Sequence, residues 1–325
     1  MPWVGVYAPF LINYCQRDYK YINNKTQMSI KNYTSAPLPF MGQKRRFLTL
    51  FKSALNEFKT ANTFIDLFGG SGLLSHTAKS VRPDAQVVYN DYDDYHTRLL
   101  HVDKTNRMLE HIRVLVKDCP PDKKIPNEIK QKVIDYIQNE EQKGFVDYIT
   151  LSSSLLFSMN YSKSLKDLEK QTMYNCVRKS NYNVAGYLDG LHIVKYDYKE
   201  LFNKYKGIDN VVFFVDPPYL STEVGTYNNY WRLADYLDVL NTLKDTSYFY
   251  FTSDKSSIIE LCDWLQKNLE ANNPFDGAIK YEMPVKVNHN AGYTDIMLCK
   301  GNTSVSGSLC QPIYQSTTTD NKSSY

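Results

Sequence analysis

The tetrapeptide Asp216-Pro217-Pro218-Tyr219 is where residue types and spacing most directly specify chemistry in this chain. It follows Val211-Val212-Phe213-Phe214-Val215, a continuous apolar run that reads as a buried strand. The four residues therefore fall at a strand's carboxyl end, where open α/β sheets bind ligands. Two successive prolines restrict the backbone after Asp216 and remove two N–H donors, so nearby carbonyls lack local partners. A carboxylate and free carbonyls in a rigid corner accept hydrogen bonds from both hydrogens of a planar amine. Adenine N6 is such a nitrogen, a poor nucleophile because its lone pair is delocalised into the ring. Hydrogen bonds to the Asp216 carboxylate and the Pro217 carbonyl favour a more tetrahedral, reactive geometry, with positioning and electrostatics as the main source of rate. Tyr219 offers a ring to stack on a base that has left its duplex. Cytosine N4, an adenine in RNA and a protein glutamine amide are also planar conjugated nitrogens, so the corner alone leaves the acceptor open. An isolated strand-terminating Asp-Pro would need no chemistry at all.

A second constellation precedes it. Phe68-Gly69-Gly70-Ser71-Gly72 follows the predicted strand Phe64-Ile65-Asp66-Leu67-Phe68 and opens a helix from Leu73, which lets backbone N–H groups approach a nucleotide-like ligand. The third glycine of a dinucleotide fingerprint is absent, with Ser75 in its place. Asp91 ends the next predicted strand, residues 86 to 90, about 20 residues on, where a carboxylate can accept both ribose hydroxyls. Taken singly, these are equally a tight turn and a strand-end acid.

The elements that must carry these residues form an α/β pattern in two stretches. A basic amphipathic helix at about 45 to 58 leads into the first strand, turn, helix and second strand, a βαβ unit. The second stretch has strands at 191 to 195, 211 to 215 and 248 to 252 separated by helical patterns. It closes with strands near 278 to 287 and 293 to 299, joined by a hairpin-like turn at 288 to 292. Residues 103 to 186 are mostly helical in pattern, with Lys/Glu-rich stretches and no strand-turn-helix rhythm, so they read as an insertion between the halves of one open sheet. The expected domains are a catalytic domain of residues 37–102 and 187–300 and a helical insertion of residues 103–186. A Tyr/Asn/Lys-rich extension spans 1–36, and a Ser/Thr/Asn/Gln-rich tail spans 301–325 and cannot bury enough surface to fold alone.

With 325 residues the chain can bury a sizeable core, and a formal charge of +3 argues against non-specific electrostatic binding as the main activity. The 27 tyrosines and 15 phenylalanines serve mostly packing, with a few rings available for base stacking. Six cysteines without a CxxC pair or metal-ligand spacing read as free thiols in a reducing compartment, and no zinc site is expected. No run approaches the length that spans a bilayer, so the expectation is a cytoplasmic protein without membrane contact.

The ordered set Pro39-Phe40-Met41-Gly42-Gln43-Lys44, Phe64 to Gly72, Asn90-Asp91, Asp197-Tyr198 and Asp216-Pro217-Pro218-Tyr219 resembles the Dam-like group of DNA adenine-N6 methyltransferases over about residues 37 to 300. The resemblance implies a Rossmann-like α/β fold with an inserted, mainly helical target-recognition domain, S-adenosylmethionine as cofactor and double-stranded DNA as partner. It assigns the cofactor to Phe40, Lys44, Asp66, Phe68, Gly70, Gly72, Asp91, Asp197 and Tyr198, and the target adenine to the Asp216 corner. Within that set, Phe68 and the glycines would hold the methionine part, Asp91 the ribose, and Asp197 with Tyr198 the adenine ring. Phe40 would pack over the cofactor while Lys44 reaches toward its carboxylate, although Met41 and Gln43 depart from the group's usual Ala and Gly. Residues 178 to 186 are faintly similar to an Arg-rich segment near the end of the recognition region, making Arg178, Lys179 and Asn181 candidates for DNA contact. The apolar, hydroxyl-rich run at 152 to 161 is another candidate, or a buried helix. A monomer or weak dimer is expected, and the resemblance leaves room for a cognate restriction endonuclease. The rival of another class is a catalytically silent DNA-binding module, against which the retention of Asp91, Asp197 and Asp216 argues.

Overall fold

The computed structural model describes residues 32–157, 160–218, 231–286 and 292–301. Seven strands form one sheet: β1 (Thr63–Asp66), β2 (Gln86–Asn90), β3 (His192–Val194), β4 (Val211–Val215), β5 (Ser247–Ser253), β6 (Ile279–Lys286) and β7 (Gly292–Lys300), in the order β3-β2-β1-β4-β5-β7-β6. The first five pair in parallel, and β7 lies antiparallel between β5 and β6.

Every residue of β1, β4 and β5 is buried, which requires a layer on each face of the sheet. Successive side chains supply those layers by alternation. Phe64, Val87, Val212, Phe214, Phe249 and Phe251 pack with α1 (Leu48–Leu55) and α2 (Leu73–Val81). Ile65, Val88, Phe213, Val215 and Tyr250 pack with α8 (Tyr198–Tyr205), α9 (Leu233–Leu243) and α10 (Ile258–Leu269). Phe51 of α1 meets the rings of Phe214 and Phe249 edge-on at 5.1 and 4.9 Å. Such ring pairs add about 0.5–1.5 kcal/mol each beyond burial. The result is the expected Rossmann-like α/β architecture. From β1 the chain winds outward through β2 to β3, whereas from β4 it winds the other way through β5. The crevice at the carboxyl ends of β1 and β4 is thus the topological switch point, where such sheets bind ligands.

The crossover from β2 to β3 contains α3 (Tyr95–Leu100), α4 (Val102–Leu115), α5 (Asn127–Gln142), α6 (Tyr148–Ser152) and α7 (Leu165–Lys170). Met108, Leu109, Ile112, Val133, Ile134, Ile137, Leu151, Leu155 and Leu168 form a core of their own there, the helical residues spaced to share one face. The helical pattern expected as far as residue 186 stops earlier: residues 171–186 contain no helix. Asparagine side chains bond the backbone in that stretch, Asn183 Oδ1 accepting locally from Ala185 N (3.0 Å) and Asn175 Nδ2 donating across the crossover to Cys119 O (2.6 Å).

Other boundaries shift for identifiable reasons. The strand expected to reach Phe68 ends at Asp66, although Leu67 N still donates to Phe214 O (3.0 Å). Beyond that, Gly70 and Gly72 take positive φ (50° and 74°) and turn the chain. The helix expected from residue 45 begins as a 3-10 turn, Arg45–Phe47, and becomes α-helical only at Leu48. Tyr33, Ala36 and Leu38 pack against Leu73, Tyr95 and Tyr187, so the end of the Tyr/Asn/Lys-rich stretch joins the body. The turn at 288 to 292 falls mainly outside the described residues, as does most of the 301–325 tail.

Candidate active site

Asp216 follows β4 directly, and its Oδ2 accepts a hydrogen bond from Lys44 Nζ at 2.5 Å. Lys44 Nζ also donates to Gly42 O at 2.9 Å. Burial pushes the Asp216 carboxyl above the usual carboxylate range, the Lys44 ammonium pulls it back, and the Asp295 charge adds to the rise. Pro217 and Pro218 continue the chain without regular structure, and Tyr219 lies outside the described residues.

Across the crevice, Asp66 ends β1 fully buried. Its Oδ2 accepts from Ser75 Oγ at 2.7 Å, while its Oδ1 has no hydrogen-bond partner of normal geometry among the described residues. Burial raises its carboxyl to about 7; the Ser75 hydroxyl opposes the rise, the Asp216 charge adds to it, and the Phe68 N–H and Lys44 oppose it. An orphan buried oxygen is costly and marks a place for a donor.

The segment before α1 lies over the glycine turn. A Cβ on Gly70 would stand 3.1 Å from the Phe40 ring, and Phe40 packs edge-on to Tyr95 at 5.7 Å. Gln43, a departure from the resembled motif, braces this segment: Oε1 accepts from Ala36 N (3.0 Å) and Nε2 donates to Phe40 O (3.2 Å).

Asp91, buried after β2, accepts from Tyr95 N (2.7 Å) and Tyr89 Oη (3.0 Å) on Oδ1 and from His96 N (2.9 Å) on Oδ2. It holds the start of α3, and Oδ2 keeps capacity for a further donor. Asp197 is exposed and caps α8, its Oδ1 accepting from Lys199 N at 2.8 Å. Tyr198 packs against Phe68 at 4.9 Å, and Trp231 adds a third ring at 5.9 Å from Phe68 and 6.0 Å from Tyr198. Phe40, Lys44, Asp66, Phe68, Gly70, Gly72, Asp91, Tyr198 and Asp216 are thus gathered at the carboxyl edge, around the β1 and β4 ends.

Arg178, Lys179 and Asn181 are exposed on the crossover. Arg178 Nε donates to Ser180 O at 2.9 Å, and its guanidinium lies 4.4 Å from the Tyr182 ring centroid. The Asn181 amide is engaged at both ends, accepting from Arg113 (2.9 Å) and donating to Glu110 Oε1 (2.7 Å).

A family model described as D12 class N6 adenine-specific DNA methyltransferase matches residues 40–257, from Phe40 through the Asp216 corner and beyond it. The chain belongs to the D12 class of N6 adenine-specific DNA methyltransferases. A protein of Haemophilus influenzae named "Putative methyltransferase" is 36% identical to this D12-class chain over 292 residues, covering 86% of this chain and 96% of the relative. The crystal structure of a precorrin-6y C5,15-methyltransferase from Geobacter metallireducens GS-15 aligns over 79% of this chain and 89% of its own with 10% identity. Its TM-score of 0.29 is too low to bear on fold or function. Membership in a methyltransferase class implies a methyl donor and a DNA substrate. No helix among the described residues is long and apolar enough to cross a membrane.

Sequence motifs passed over Trp231 and Tyr89 in this D12-class site, and included Asn90 beside Asp91 without a role of its own. Trp231 joins the Phe68 and Tyr198 rings from far along the chain, with no spacing signal to reveal it. Asn90 ties three strand ends together, donating from Nδ2 to Leu67 O (2.9 Å) and Tyr196 O (3.0 Å) and accepting at Oδ1 from Tyr196 N (2.9 Å). Tyr89 lies in the strand predicted at 86 to 90, one residue before the Asn90-Asp91 motif.

Proposed function

We propose that the chain transfers a methyl group from S-adenosylmethionine to N6 of an adenine flipped out of double-stranded DNA, in the cytoplasm and as a monomer or weak dimer. The observation that carries this reading is the half-buried Asp216 at the end of β4, beside the β1 glycine turn at the switch point and inside the D12-class match. The residues present suit the cofactor. The positive-φ glycine turn brings Gly70 directly under the Phe40 ring, the orphan Oδ1 of Asp66 calls for a donor such as an α-ammonium, and Asp91 Oδ2 has a lone pair to spare for a ribose hydroxyl. The adenine ring would lie by the Phe68, Tyr198 and Trp231 rings, with Asp197 as its polar contact. When bound, S-adenosylmethionine supplies an electrophilic methyl carbon on a positively charged sulfur.

The chain's own part is to orient the amine. Asp216 and the Pro217 carbonyl accept the two N–H groups, and Tyr219 stacks on the base. Burial makes the Asp216 carboxylate a stronger base than usual, which suits it to draw off the proton that N6 sheds as its new bond to carbon forms. Residues 103–186 serve as the target-recognition domain, with Arg178 and Lys179 meeting DNA and Asn181 bracing them through Arg113 and Glu110.

Incubation with labelled S-adenosylmethionine and mixed-sequence duplex DNA, followed by digestion to nucleosides, tests the proposal. N6-methyladenine should appear with the intact chain and vanish with Asp216→Ala. Label in cytosine, RNA or protein instead, or undiminished product from the variant, would refute it.

A further inference from the structure

Resting on that reading of the cofactor site, we propose that Tyr89 is a positioning residue that couples the glycine turn to Asp91. Its hydroxyl lies 2.8 Å from Gly70 O and 3.0 Å from Asp91 Oδ1, both acceptors, so its single proton is the only one it can offer between a carbonyl and a carboxylate. Its ring takes part as well. A Cβ on Gly69 would stand 2.4 Å from the Tyr89 ring, and one on Gly72 3.4 Å from it, so the turn is shaped around this side chain. Tyr89 is fully buried at the end of β2, and burial together with the neighbouring Asp91 raises its phenol far above the ordinary range, keeping the proton in place.

The consequence is directional. Without the hydroxyl, the Gly70 carbonyl and the Asp91 carboxylate oxygen share no donor and repel each other, so the turn and the ribose-binding acid drift from the spacing a nucleoside-linked methionine requires. Trp or His at this position cannot reproduce both the ring contact and the donor; Phe retains the ring alone.

Tyr89→Phe is the test. Isothermal titration with S-adenosylmethionine should show affinity weakened roughly ten-fold, the scale of one hydrogen bond to a charged group. KM for the cofactor should rise in parallel, while kcat at saturating cofactor and affinity for duplex DNA stay within about two-fold. A purely structural role would lower the active fraction and leave KM unchanged. In an Asp91→Asn background, where no charge faces the carbonyl, adding Tyr89→Phe should cost less than about three-fold, and this comparison also serves if the single variant is hard to fold. Unaltered cofactor affinity in folded Tyr89→Phe, or a full additional loss in the Asp91→Asn background, overturns the inference while leaving the proposed function standing. Failure of the unmodified chain to bind S-adenosylmethionine overturns both.

Discussion

Asp216 Oδ2 is held 2.5 Å from the Lys44 ammonium, so an incoming amine meets a carboxylate already paired at one of its two oxygens. Lys44→Met should leave a half-buried Asp216 without its counter-charge, at a cost of about 1–3 kcal/mol in the free protein, read by denaturant unfolding. Adding Asp216→Asn should restore most of that loss, because no charge then remains to be paired. Asp216→Asn alone should lower kcat by roughly 10²–10³ with cofactor affinity retained, which separates chemistry from binding in single-turnover kinetics. Asp66 makes a pH prediction. Burial pushes its folded carboxyl up to about 7 from the ordinary 3.8, so between those pH values the folded state holds a proton that the unfolded state has lost. Stability contributed by this group is therefore present below the unfolded value and is lost as pH rises through about 7. Thermal scans of Asp66→Asn should show a flatter decline across that window than the unmodified chain.

The strands and turns explain how far local sequence reasoning reaches. The strands at 86 to 90 and 211 to 215 coincide with β2 and β4, because dense apolar and β-branched runs leave no other way to bury their side chains. The helix start at Leu73 follows from the glycine turn, whose positive φ at Gly72 only glycine adopts readily. The 3-10 start of the helix at 45 was not legible, since Lys44 is drawn aside by an acid 172 residues away. One tie between elements invites a test. Arg98 in α3 donates from Nε to both oxygens of Asp147, the cap of α6, and from Nη2 to Pro39 O (2.8 Å) and Thr150 Oγ1 (3.0 Å). Arg98→Met should cost about 3 kcal/mol, because the buried Asp147 loses its counter-charge and keeps only the two Thr150 donors. Chemical denaturation measures it.

Two apolar cores flank the sheet, and a separate one sits among α4 to α7, so perturbing the last should spare the methyl-donor side. Ile137→Ala, in that helical core, should lose about 2–5 kcal/mol and weaken hydrogen-exchange protection in α4, α5 and α7 before the sheet. Cofactor affinity should be retained while discrimination between cognate and non-cognate duplexes falls, as expected if residues 103–186 recognise the target. Equal loss of protection in β1 and β4 would show that the helical core and the sheet unfold together.

Asp216-Pro217-Pro218-Tyr219, the glycine turn and the alternation of strand and helix were readable along the chain because each depends on neighbours within a few residues: a proline's missing N–H, a glycine's open φ, an apolar run. The order of the motifs carried the resemblance to adenine methyltransferases, and the D12-class match agrees with it. Which strand lies beside which, and hence that Asp66 and Asp216 share one crevice, depends on pairing across 145 or more residues, as between Thr63 and Val211. The Lys44 partner and the third ring at Trp231 likewise arise where distant segments meet, and the double duty of Tyr89 where β2 comes beside the glycine turn. Hydrogen bonds and charge pairs act over a few ångströms of space whatever the separation in sequence, and folding alone brings those atoms within range.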